Sequence, residues 1–197
     1  YSENSLVYLY DNSYINYNNS SSGSGGGLYA TGPGTYLEIH SSYVYNNSSN
    51  QKGGGLYLTD SSHVYFSNSS RVSYNTTLTQ GGGVYLEYGS GLSAEWNTVI
   101  SMNLTTQDCF TGQGSQGAGL YVSQSTVEYN GGYIWGNKSA DAGGAIFVTN
   151  GSNVNLSYVG MDTNESAEVG GGENTIGGAL GIVYDSEVNI DHCTALL

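Results

Sequence analysis

Asparagine is the residue whose spacing first suggests chemistry. Eleven Asn stand in Asn-x-Ser/Thr, the acceptor sequence for N-linked glycans: Asn18, Asn19, Asn46, Asn47, Asn68, Asn75, Asn103, Asn137, Asn150, Asn155 and Asn164. With 20 Asn and 43 Ser plus Thr in 197 residues, chance placement gives about 4 such sites. The excess leads to an expectation of covalent N-linked glycans and a secreted, extracellular or cell-surface protein. The competing explanation is that Asn and Ser share the turns of a repetitive fold.

Other chemistries lack their residue sets. Glycoside hydrolysis needs two carboxylates flanking the sugar bond. The acids Glu38, Asp60, Glu87, Glu95, Asp108, Glu128, Asp141 and Asp185 are scattered, although stacking of repeats could align Glu87 with others. Arg71, Lys52 and Lys138 have no acid cluster beside them in sequence. His40, His63 and His192 lack metal-ligand spacing, and no Gly-x-Ser-x-Gly elbow context is present. Asp162, Asn164, Glu165, Glu168 and Glu173 could offer oxygen ligands to Ca²⁺, but without the EF-hand pattern an acidic loop free of metal is the favoured reading. The expectation is no catalytic residue, no metal and no cofactor. Cys109 and Cys193 are separated by three repeats, on the order of 14 Å along a stack of strands, so they form a bridge only if an insertion folds along the side.

The elements that position these residues repeat about every 28 residues. A Gly-rich motif opens a strand at Gly25–Tyr29, Gly53–Tyr57, Gly81–Tyr85, Gly117–Tyr121, Gly143–Phe147 and Gly177–Leu180. A second motif, apolar-x-x-Asn, closes each unit: Ile15 to Asn18, Tyr43 to Asn46, Val72 to Asn75, Ile100 to Asn103 and Ile134 to Asn137, with Val159 to Asp162 and Ile190 to Cys193 as degenerate copies. Between them apolar residues alternate, as in Leu56 and Leu58, Val64 and Phe66, Val72 and Tyr74. Three short strands per unit, divided by polar turns, predict the coils of a parallel β-helix. About seven coils form one domain over 1–197, with insertions at about 104–116 and 163–176. An antiparallel sandwich ranks behind, because hairpins do not require one motif every 28 residues.

Two columns follow from the alternation. If Ile15 and Tyr17 face inward, Asn18 faces outward or sits at a corner, so the favoured arrangement is an outward row of glycans, with a buried Asn ladder as its rival. Tyr8, Tyr29, Tyr57, Tyr85, Tyr121 and Phe147 follow inward residues and are placed outward, one per coil. This stripe is read first as stacking that favours the fold, and second as a contact surface for another chain or for sugar rings.

The formal net charge of -13, with three basic residues, excludes a phosphate-tracking patch, so nucleic acid is not expected. No apolar run is long enough for a membrane span, and no signal peptide is visible. The chain opens on Tyr1, as a mature or partial chain would. Leu, Ile, Val and Phe make up only 40 residues, close to the level of disordered chains. A repeat fold tolerates that level because every apolar residue is placed inward.

Gly-Gly-Ala-Ile at 143–146 and the repeated apolar-x-x-Asn motif resemble the repeats of the polymorphic outer membrane protein family. Here Ile, Val or Tyr stands where that family has Phe, and Gly often replaces Ala. The resemblance covers roughly residues 5 to 195 and implies a right-handed, pectate-lyase-like β-helix with a passenger-like adhesive or structural role. The resulting expectation is a secreted, N-glycosylated structural or adhesive β-helix of a cell surface, appendage or filament. Its partners are copies of itself or other extracellular structural proteins. A polysaccharide-processing or carbohydrate-binding β-helix is the alternative.

Overall fold

The computed structural model describes residues 2–106, 114–166 and 177–192. The chain winds as an all-β parallel solenoid of about six turns with a repeat near 28 residues, slightly fewer turns than the motif count suggests. One turn reads Leu28–Thr31, Tyr36–His40, Tyr43–Tyr45 and Ser48–Ser49, then passes through a Gly corner to Leu56. Every strand pairs in parallel with its counterparts in neighbouring turns. The first column forms a sheet of 7 strands, the second and third columns join in a sheet of 11, and the fourth forms one of 6. The fourth column of two-residue strands goes beyond the three strands per turn expected from alternation.

The register stacks like on like. Leu28, Leu56, Val84, Leu120, Ile146 and Leu180 form one inward file. Ile15, Val44, Val72, Ile100, Ile134 and Met161 form another. Most of these side chains are fully buried in one continuous core. A thin prism needs one such residue at every second position, so low overall hydrophobicity suffices.

The corners depend on left-handed backbone. The first glycine of each Gly-rich motif has positive φ, from 56° at Gly177 to 70° at Gly25. At Gly53 a Cβ would also collide with the Leu56 carbonyl oxygen. The residue before each corner asparagine is left-handed too: Tyr17, Asn46, Tyr74, Met102, Gly136 and Thr163 have φ between 50° and 63°. A left-handed residue interrupts the strict in–out alternation of a strand, so the next side chain turns into the solenoid instead of away from it.

Candidate functional site

That reversal turns the corner asparagines toward the inside and buries those of the middle turns, while the end rungs Asn18 and Asn164 are exposed and half-buried. Asn18, Asn47, Asn75, Asn103, Asn137 and Asn164 form a ladder, and the four middle rungs are at most 1% exposed. At Asn75 the Nδ2 donates to the Val44 carbonyl at 3.0 Å and to Asn103 Oδ1 at 3.1 Å, while its Oδ1 accepts from the backbone and side-chain nitrogens of Asn47. Two residues on, Ser49, Thr77, Thr105 and Ser139 are buried in a hydroxyl file; Ser49 and Thr77 are 2.9 Å apart. Asn-x-Ser/Thr is thus the corner itself, with both of its polar side chains directed inward.

This corrects the outward row of glycans. Asn47, Asn75, Asn103 and Asn137 have no solvent-facing Nδ2, because backbone carbonyls and the next rung occupy it. The motif copies also shift: Val44 with Asn47 and Met161 with Asn164 take the places expected for Tyr43 with Asn46 and Val159 with Asp162. Six of the acceptor sequences belong to the ladder. The other five, Asn19, Asn46, Asn68, Asn150 and Asn155, are close to the chance number of about 4. Asn19, Asn68 and Asn150 are exposed, whereas Asn46 and Asn155 are half-buried.

The aromatic stripe divides differently from expectation. Tyr29, Tyr57, Tyr85, Tyr121 and Phe147 stack in sequence with ring centroids 4.8, 5.3, 4.7 and 5.6 Å apart. They project away from the main core but form a second, covered cluster, with Tyr57, Tyr85, Tyr121 and Phe147 at most 8% exposed. An open contact stripe is therefore corrected to a packed column. Tyr8 is not part of it: its strand, Leu6–Leu9, lies in the second sheet, where Tyr8 pairs with Glu38 and is 51% exposed. The alternation of Leu6 to Leu9 resembles that of a first-sheet strand, but its partner in the next turn is Tyr36–His40.

One acid flanks the tyrosine column. Glu87 accepts hydrogen bonds from the hydroxyls of Tyr57 and Tyr85, the latter at 2.9 Å, and Lys52 Nζ lies 3.2 Å from its Oε2. Lys52 also sits 4.6 Å from the centre of the Tyr85 ring. Burial, with Glu87 adding to it, raises the Tyr57 and Tyr85 hydroxyls well above the usual phenol value, and burial pushes Tyr121 up to about 12. The register sets Thr59 and Ser123 in the positions next to Glu87. A cleft of about 690 Å³ opens here, lined by Lys52, Glu87, Gln80, Gln116, Gln124 and Asn150 among others.

The remaining candidates are separated. His40 bonds Ser67 and Asn68, His63 bonds Ser93 and lies parallel to Tyr36, and His192 stacks on Tyr158. Burial lowers the pKa of His63. The shallow hollow at Arg71 is lined by Ser69, Asn97, Val99 and Tyr133, with no acid. Glu165 pairs with Lys138 at 3.1 Å on the surface and Asn164 is a ladder rung. Among the described residues no group of three or more His, Cys, Asp or Glu is placed to hold a metal ion. Cys109, Cys193, Asp108, Glu168 and Glu173 lie outside the described residues.

The outer face of the third strand column was not singled out from the sequence. Its outward rows run Tyr14, Tyr43, Arg71, Val99, Tyr133, Gly160 and Asn16, Tyr45, Ser73, Ser101, Trp135, Asp162. Tyr14 stacks on Tyr43 at 5.2 Å, and Tyr14, Tyr133 and Trp135 are exposed. Tyr17 and Tyr74, in the left-handed corner positions, extend this aromatic surface. The available signal was the pair of aromatics flanking the inward residue in two turns, Tyr43-Val44-Tyr45 and Tyr133-Ile134-Trp135.

No protein-family model, no curated protein and no solved structure matches the chain.

Proposed function

We propose that the chain is a non-catalytic structural or adhesive solenoid that works at a cell surface or in an extracellular assembly, through lateral contact with a second copy of itself. The observation that carries this reading is the third-column face. It is rich in exposed aromatics, and its two outward rows hold only Arg71 and Asp162 as charges. On a chain of net charge -13, two copies repel unless they meet where the acids are missing. Tyr and Trp also give contact area at little cost in side-chain entropy. A passenger-like role of the kind suggested by the polymorphic outer membrane protein repeats is in keeping with this reading. The corner ladder accounts for the surplus of Asn-x-Ser/Thr, so the extracellular part of this proposal rests on the repeat resemblance and not on glycans, and the contact face supports only the self-association.

Sedimentation equilibrium over a range of concentrations tests the reading. Self-association is expected, and Trp135→Ser with Tyr14→Ser should weaken it by about tenfold. Added salt should strengthen it, because screening removes acid–acid repulsion while the face has few charges to lose. A chain that stays monomeric at every concentration and salt level rejects the reading.

A further inference from the structure

We propose that the cleft beside Glu87 is a saccharide subsite that takes one neutral sugar ring, a site independent of the lateral contact face. The first argument is a break in repetition. The positions that stack with Glu87 are occupied by the small hydroxyl residues Thr31, Thr59, Ser123 and Thr149. In a fold that places like on like, a single acid in a hydroxyl file is out of pattern. Its side chain is only 10% exposed, and burying an acid costs free energy that stacking alone does not require.

The second argument is chemical. A carboxylate has about four lone-pair positions. Tyr57, Tyr85 and Lys52 occupy three, which leaves one acceptor position on a side chain that lines the cleft. Gln80, Gln116, Gln124 and Asn150 line the same space; Gln80, Gln116 and Asn150 each donate once, to Gly114, Asp141 and Ser123, and each keeps a second amide N–H and its oxygen. Vicinal sugar hydroxyls, which donate and accept at once, match that lining. The volume of about 690 Å³ is in the range of small-ligand clefts, roughly 300–1,000 Å³. Lys52 is the one cation in the lining and is already paired with Glu87, so the cleft has no surplus charge for an anionic ligand. The amides leave little apolar wall for a hydrophobic one.

The test titrates the purified chain with cellotetraose, maltotetraose and tetra-N-acetylchitotetraose, with tetragalacturonate as the anionic control, by calorimetry and saturation-transfer NMR. At least one neutral oligosaccharide is expected to bind with Kd on the order of 1 mM or tighter. Gln124→Ala with Asn150→Ala should weaken that binding about tenfold; both positions are left-handed, so a modest fall in thermal stability is expected, with the β circular-dichroism signal retained at the temperature of the titration. Glu87→Gln should weaken it as well, and Trp135→Ser should leave it intact while reducing self-association. The proposal is overturned if no neutral probe binds, if tetragalacturonate binds more tightly than all of them, or if binding survives the Gln124→Ala/Asn150→Ala variant. Loss of binding only in Trp135→Ser would likewise overturn it, by moving the sugar to the aromatic face.

Discussion

The amide of Asn75 serves three turns at once: it donates to the turn before through Val44, accepts from Asn47, and donates to Asn103 in the turn after. Asn75→Ala leaves the Val44 carbonyl and the Asn47 backbone N–H without partners in a dry interior. At roughly 1–3 kcal/mol for each orphaned group, the expected loss is about 3 kcal/mol or more. Asn75→Asp should cost at least as much, since a carboxylate offers no donor to either oxygen. Asn19→Ala, in an exposed strand, should cost under about 0.5 kcal/mol. Urea unfolding of the three variants gives the comparison. Chain made in a glycosylating host should carry sugar, where it carries any, at Asn19 or Asn68, which are exposed and lie outside the Glu87 cleft. Glycopeptide mapping of the folded fraction that finds Asn75 or Asn103 occupied contradicts the ladder. The acceptor sequences were all visible as residues, but their meaning was not. The period-two rule carries no information about a left-handed residue one position earlier, and the choice between inward and outward depends on that residue.

At the scale of the strand and corner, Gly136 holds the place that Tyr74 and Met102 hold in neighbouring turns. Tyr74→Gly should therefore be tolerated to within about 1 kcal/mol, because relief of left-handed strain offsets the added chain entropy. Gly53→Ala is a different case. It combines positive φ with a collision against Leu56, and thermal unfolding should reveal a loss of about 1–3 kcal/mol. The repeat length and the inward files such as Leu56, Val84 and Leu120 were legible, because apolar alternation recurred in phase with glycine. Two details were not. Asn46-Asn47 offers two asparagines in a row, so spacing alone picked the wrong one, and the four-residue alternation at Leu6–Leu9 fits either of two sheets. Pairing partners, which are contacts between turns, decide both.

For the whole molecule, alkali should act through the tyrosine column. The folded pKa of Tyr57, Tyr85 and Tyr121 lies above the ordinary value of 10.0. Between that value and the folded ones the unfolded chain releases protons that the folded chain retains, so stability falls as pH rises. The stabilisation is fully present below pH 10 and declines above it. Absorbance of tyrosinate near 295 nm should rise in two stages, exposed phenols first and the column together with loss of the β circular-dichroism signal. A single smooth titration that finishes with the fold intact would show the column to be open to solvent. The outward aromatic face and the Glu87 cleft were the least legible features of the sequence. Each is assembled from residues about one turn apart, and no local motif marks a surface that exists only after turns stack.

The ladder also has an order in time. Asn75 is enclosed by Asn103, which follows it by 28 residues. If the turns wind in the order of synthesis, each rung stays accessible until the next turn has docked, and enclosure then competes with modification. A sugar attached in that interval would act as a chain terminator for the solenoid: the turns already wound would stand, and the turn after the modified rung would find its seat taken.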